Sequence, residues 1–255
     1  PSFIHLKLHS EFSLIDGMVR LKPLMTLAKE HAMPALALTD MSNLFAAVKF
    51  QKAAFAAGIK PIFGAELYVA NEDDVRRPFH ITVLCQDDEG YHHLRLLISE
   101  AYLHGQVQGK PLVTFDLLAK YNAGLIVLSG AQKGDVGHAL LQNNVSLLKT
   151  RVAFWQRHFP GRYYLELSRV GREDEKDYHG KAVALALSDN LPVVATNDVC
   201  FLRQEDYEAH EARVCIHDGY ILADPKRPRN HTEQQYFKTP EEMQALFEDV
   251  PQALA

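Results

Sequence analysis

The stretch FIHLKLHSEFSLIDGMVRLKPLMTLAKEHAMPALALTD, residues 3–40, decides the fold class. Apolar runs at 4–8 and 35–39 bracket an amphipathic stretch at 21–31. A strand, a helix and a second strand in that order form a β/α unit. The alternation continues along the chain, with candidate strands at 61–69, 81–85, 125–129, 163–167 and 192–195 and helical patterns at 43–57, 91–104, 146–159, 173–189 and 206–216. Seven strands with intervening helices predict an α/β fold, a distorted (β/α)7 TIM-like barrel. No GxGxxG follows the first strand, which argues against an open dinucleotide-binding sheet. No internal repeat, low-complexity tract or long linker interrupts the pattern, so a single domain is expected over 1–255.

Composition narrows the function classes. With 47% hydrophobic and 23% charged residues, the 255-residue chain carries enough apolar material for a sizeable core. No run approaches the ~18 apolar residues of a membrane span, and no signal sequence opens the chain. The three cysteines, Cys85, Cys200 and Cys215, have no CxxC spacing. That indicates neither a disulfide framework nor a zinc ribbon and fits a reducing cytoplasm. A net charge of -5 has the wrong sign for a domain that grips nucleic acid by itself. The 13 histidines are the compositional outlier. Most are expected on the surface, among them the adjacent His92 and His93.

In α/β barrels chemistry gathers at strand C-termini. Here the strands run into His5, Lys7, His9 and Ser10, into Asp40, and into Asn197 and Asp198; Glu66 lies in the third strand, His80 opens the fourth, and Ser129 and Glu166 close later ones. Alternation puts His5, Lys7 and His9 on one face. At ~3.3 Å per residue His5 and His9 lie roughly 13 Å apart, too far to share an ion. Asp206 and His210, at i,i+4 on a helix, read as a solvated surface or a local strut. Trp155, Tyr163 and Tyr164 read as core.

The segment HLKLHSEFSLIDG (5–17) resembles the opening motif of PHP (polymerase and histidinol phosphatase) domains, where an HxH pair and a following aspartate begin a cluster of one to three metal ions. The resemblance continues through ALTDMSNLFAAVKF (37–50), GIKPIFGAELYV (58–69), the His80 segment, GLIVLSGAQKGDVG (124–137), PVVATNDVCF (192–201), KRPRN (226–230) and QQYFKTPEEMQALFEDVPQAL (234–254). Taken together, these blocks look like the N-terminal PHP domain of bacterial replicative DNA polymerase III α subunits, the C-family polymerases.

Family metal-ligand types are matched at His9, Asp16, Glu66, His80 and Asp198, whereas Lys7, Met41, Ala131 and Cys200 stand where the family has its other ligands. The resemblance therefore implies a degenerate phosphoesterase site that holds no ion, or one weakly held Zn, Mn or Mg at the five survivors. An ammonium at Lys7 can take the electrostatic place of a metal among the remaining acids. The family role implied is support of the polymerase core of the same chain and docking of the separate, epsilon-type proofreading exonuclease. DNA would be met only through the full-length, magnesium-dependent polymerase. The alternative is a residual metal-dependent phosphoesterase, a 3′–5′ exonuclease or pyrophosphatase. A histidinol-phosphatase-like enzyme would want the complete ligand set. Lys226, Arg227 and Arg229 are the candidate contacts to nucleic acid or a neighbouring domain. Asp249 and Pro251 read as the N-cap and first turn of a helix, and 249–255 as the start of the linker toward the polymerase palm and thumb.

Overall fold

The computed structural model describes residues 3–254. Its strands are β1 (Ala35–Leu38), β2 (Lys60–Val69), β3 (Phe79–Cys85), β4 (Gln106–Val107), β5 (Lys110–Val113), β6 (Leu125–Leu128), β7 (Tyr163–Ser168) and β8 (Val193–Thr196). The helices are α1 (Leu21–Glu30), α2 (Ala47–Ala57), α3 (Asp88–His104), α4 (Phe115–Lys120), α5 (Asp135–Leu141), α6 (Val145–His158), α7 (Glu175–Asp189), α8 (Tyr207–Asp218) and α9 (Pro240–Leu246). The strands form one mixed sheet in the order β4-β5-β2-β3-β6-β7-β8, with β1 beside β2. None of the helices is long and apolar enough to cross a membrane.

The sheet departs from an all-parallel arrangement at β3, which runs antiparallel to both β2 and β6. The cause is the connector. Only residues 70–78 join β2 to β3, and a parallel crossover needs a dozen or more. A second feature absent from the sequence reading is the hairpin β4–β5. Its turn is Gln108–Gly109, with φ of 49° and 78°, the doubly left-handed geometry of a two-residue hairpin loop.

The expected first strand at 4–8 is extended but irregular. Ala37 N donates to His5 O at 3.0 Å and Thr39 N to Leu8 O at 2.9 Å. Between those two bonds the first segment advances three residues while its neighbour advances two, the signature of a bulge. On its other side, His9 N donates to Val199 O at 2.8 Å and Val199 N to Lys7 O at 3.3 Å. The segment thus lies between β1 and the end of β8 without a regular ladder, and only the Leu8–Val199 and Ser10–Val19 bridges are formed. The bulge also breaks the alternation expected for its histidines. His5 turns away from Lys7 and His9; its Nε2 bonds Lys238 O at 2.8 Å and its ring lies 4.7 Å from Phe237.

The main core joins the sheet to α3, α5, α6 and α7 through residues such as Leu67, Ile81, Leu94, Trp155 and Tyr178. Trp155 stacks on Tyr163 with ring centroids 4.9 Å apart. Tyr164 is only half-buried and joins a small cluster with Leu84 and Leu128. Leu6, Ile62, Ile126 and Val194 line an apolar cavity of about 770 Å³ at the end of the sheet where β2 and β8 begin. The stretch read as the start of a linker is docked on the body: Ala253 is buried in the main core, a 3-10 turn spans Pro251–Leu254, and the Asp249 carboxylate is held by Arg169 at 2.6 and 2.7 Å.

Candidate metal centre

Where β2, β7 and β8 end, charged groups are buried in one place. Lys7, Glu66, Glu166 and Asp198 are each almost inaccessible, a burial that such residues tolerate only when paired. Lys7 Nζ lies 3.2 Å from Glu66 Oε2, 3.5 Å from Asp198 Oδ1 and 3.7 Å from Glu166 Oε1. Burial alone would lower the lysine pKa, but Asp198, Glu166 and Glu66 together outweigh it and hold it above the ordinary lysine value. Conversely, burial pushes Glu66 and Asp198 up, and the neighbouring cations reverse the effect. Lys7 and the imidazoles of His80 and His9 drive Glu66 well below the usual carboxylate range, and Lys7, Arg172 and Lys133 do the same for Asp198.

The oxygens of this centre are fully engaged. Glu66 takes His9 Nε2 on Oε2 at 2.8 Å and His80 Nδ1 on Oε1 at 2.7 Å. Glu166 accepts from Thr196 Oγ1 at 2.6 Å and from Gly130 N at 3.0 Å. Gly130 sits at a φ of +76°, and a Cβ there would lie 1.8 Å from His80 O. Only glycine therefore lets the chain after β6 approach Glu166. Asp198, itself left-handed at φ 49°, is gripped by Arg172 Nη2 and by Gln235 Nε2 at 3.2 Å.

His9 is held from both sides. Its Nδ1 faces Ser13 Oγ at 3.1 Å, and Ser13 donates its single proton to Asp40 Oδ1 at 2.9 Å. Both ring nitrogens of His9 are then donors, so the imidazole is charged. Burial opposes that charge, but Glu66 and then Asp198 raise its pKa above the ordinary value. Lys7, Arg172 and protonated His9 balance Glu66, Glu166 and Asp198 three to three.

Among the expected ligand positions, His9, Glu66, His80 and Asp198 meet around Lys7, and Asp16 does not join them. Its carboxylate comes within 4.0 Å of His231 Nε2 instead. Met41 contributes only backbone, with its N–H on Ser13 Oγ at 3.0 Å. Ala131 packs into the core, and Cys200 Sγ accepts from Gln235 Nε2 at 3.3 Å. By donor type, His9, Glu66 and Asp198 could hold an ion, their atoms all lying within 4.8 Å of one another. A zinc ion would need ligands at ~2.0–2.2 Å with the imidazole neutral. In the present arrangement Lys7 stands among those oxygens and His9 is already protonated.

Sequence reasoning passed over Arg172, Gln235 and the part played by Glu166. The signal for Arg172 was its place in the loop after β7, where barrel chemistry collects. Two expectations are corrected. Arg227, expected to contact nucleic acid or a neighbouring domain, instead turns its guanidinium inward to Glu211 and donates to Leu222 O at 3.0 Å. His210 is not on a solvated surface and does not pair with Asp206. It is fully buried with Nε2 3.3 Å from Asp16 O, while Asp206 accepts from Arg203 N. Arg229 keeps its place at the mouth, lining a cavity of about 500 Å³ with Lys133, Arg172, His80 and Asp16. His92 is exposed and His93 Nδ1 bonds Ala123 O at 3.0 Å.

The family model described as PHP domain matches residues 5–170. The chain belongs to the PHP domain family. Over its whole length this PHP domain is 51% identical to the DNA polymerase III subunit alpha of Escherichia coli K12 and 46% identical to that of Vibrio cholerae. It is 46% identical over 253 residues to that of Pseudomonas aeruginosa. It spans 22% of the length of each of these relatives. A candidate metal-dependent phosphoesterase from Bifidobacterium adolescentis has a similar fold, with a TM-score of 0.53 and 13% identity over 76% of this chain and 86% of that one. An amidohydrolase from Chromobacterium violaceum superposes with a TM-score of 0.51 and 16% identity, over 83% of this chain and 97% of that one.

Proposed function

We propose that this PHP domain serves inside a bacterial DNA polymerase III α subunit as a cytoplasmic, non-catalytic module. It supports the polymerase region of the same chain and docks the epsilon-type proofreading exonuclease. The supporting observation is the position of Lys7, whose ammonium lies 3.2–3.7 Å from Glu66, Asp198 and Glu166. Metal-dependent phosphoester cleavage needs a Lewis acid that turns water into hydroxide and clamps the leaving oxygen. An ammonium neutralises the acids without supplying an open coordination position. The centre is thereby kept as a folded strut, and the polymerase reaction with its magnesium ions belongs to the rest of the α subunit.

The reading predicts that the purified chain turns over neither pyrophosphate nor labelled single-stranded DNA in manganese, zinc or magnesium, and that it co-purifies with the exonuclease subunit. Turnover abolished by His9→Ala and by Asp198→Ala would reverse it. That second reading, a residual phosphoesterase, has one specific observation in its favour: the basic mouth formed by Lys133, Arg172 and Arg229 beside His80 suits a phosphate group.

A further inference from the structure

We infer that this chain carries a second, separate metal site, a zinc-type site built from Cys200, His210 and His231. One ligand atom from each of the three lies within 4.8 Å of the others, and all three side chains are buried. The set is one cysteine sulfur and two imidazoles, the donors that select zinc over the hard ions, and an ion would take the place of the thiol proton. It shares no ligand with the Lys7 centre, which it meets through Gln235, and two of its members, His210 and His231, lie outside the family's ligand pattern.

Its hydrogen bonding is incomplete in the way a ligand set is incomplete before its ion arrives. His210 Nδ1 and His231 Nδ1 are both buried without a hydrogen bond, and so is Glu211 Oε1. Most buried polar atoms have partners, and three orphans at one place call for a cause. Glu211 Oε1 faces His231 Nδ1 at 3.8 Å, which is where a carboxylate orients a metal-bound imidazole from its far nitrogen. Gln235 Nε2 donates to Cys200 Sγ at 3.3 Å, the type of bond that steadies a coordinated sulfur. Asp16 Oδ1 lies 4.0 Å from His231 Nε2, beside the three donors and not among them.

The three donors come from three separate pieces of chain: the segment after β8, helix α8, and the loop that follows the basic run 226–230. An ion there pins that loop to the sheet and sets Arg229, two residues before His231, at the mouth of the polar cavity. The bland alternative is aromatic packing alone. His210 and His231 meet edge to face at 4.6 Å, and His210 lies 5.4 Å from Phe201. Packing alone leaves His210 Nδ1, the ring nitrogen not engaged by Asp16 O, without a partner.

The test is equilibrium dialysis of the purified chain against zinc, followed by metal analysis, with cobalt(II) as a spectroscopic stand-in. One zinc per chain is expected, together with a thiolate-to-cobalt charge-transfer band. Cys200→Ser and His231→Gln should each weaken zinc binding by at least about 100-fold, since even outer partners of ligands are worth 10–100-fold, whereas His9→Gln should leave it unchanged. No zinc retained, no thiolate band on the parent protein, or loss in His9→Gln with retention in His231→Gln would overturn the site. If a variant does not fold, the band on the parent protein decides alone.

Discussion

Two of the regions that bury carboxylates in this molecule treat them in opposite ways. Around Lys7, Glu66 and Asp198 are held well below the usual carboxylate range although burial pushes them up. At the start of α5, Asp135 is equally buried. It accepts from Trp155 Nε1 at 3.0 and 3.2 Å, yet burial raises its pKa to about 6. The difference is a close cation. A neutral donor softens desolvation, whereas an ammonium 3.2 Å from Glu66 and 3.5 Å from Asp198 reverses it. Lys7 therefore does at this centre the electrostatic work of a cation placed among buried acids.

The largest effect that could break the comparison comes from Lys7→Met. Removing one partner of a buried ion cluster strands the others, and a loss of about 3–5 kcal/mol is expected in urea unfolding at pH 7. A loss near zero would mean that the acids need no cation. The variant should also reverse part of the acid sensitivity. In the parent protein, the depressed Glu66 and Asp198 contribute stability that is present above about pH 4, their unfolded range, and lost as pH falls through their folded values.

Asp135 should show the opposite sign. Its folded pKa of about 6 lies above the unfolded value of 3.8, so the folded state holds the proton more tightly. The contribution is present below pH 4 and fades as pH rises through 6. Asp135→Asn, which keeps an acceptor for Trp155, should remove about 3 kcal/mol of that pH dependence, read from unfolding midpoints between pH 4 and 7. A smaller change sharpens the picture of Glu166. Thr196→Val deletes the hydroxyl that donates to Oε1 at 2.6 Å and should cost about 2 kcal/mol, as for other hydrogen bonds to charged groups, with the fold intact by circular dichroism.

Much of this was legible in the order of residues. The strands β1, β2, β6, β7 and β8 lie within one or two residues of the apolar runs that announced them, because buried strands in such folds are short aliphatic blocks. Lys7 beside a set of acids was also readable as a charge match. What escaped depends on contacts between distant segments. The bulge between His5 and Leu8 arises from pairing with Ala37 and Thr39, and nothing local marks it. Reversal of β3 was available from its short connector, but the apolar pattern of a strand carries no direction. Arg172 and Gln235 reach Asp198 from 26 and 37 residues away. His210 looked like a surface helix residue until the loop bearing His231 covered it.

Manganese binding to the Lys7→His variant, compared with the parent chain, tests most directly whether Lys7 fills a cation's place. Both proteins should carry Cys200→Ser so that the neighbouring sulfur takes no part, and bound manganese can be counted by equilibrium dialysis alongside thermal unfolding. With the imidazole restored next to Glu66 and Asp198, the variant should take up manganese and be stabilised by it, while the Lys7 protein takes up none and does not shift. Equal manganese uptake by both proteins would contradict the account.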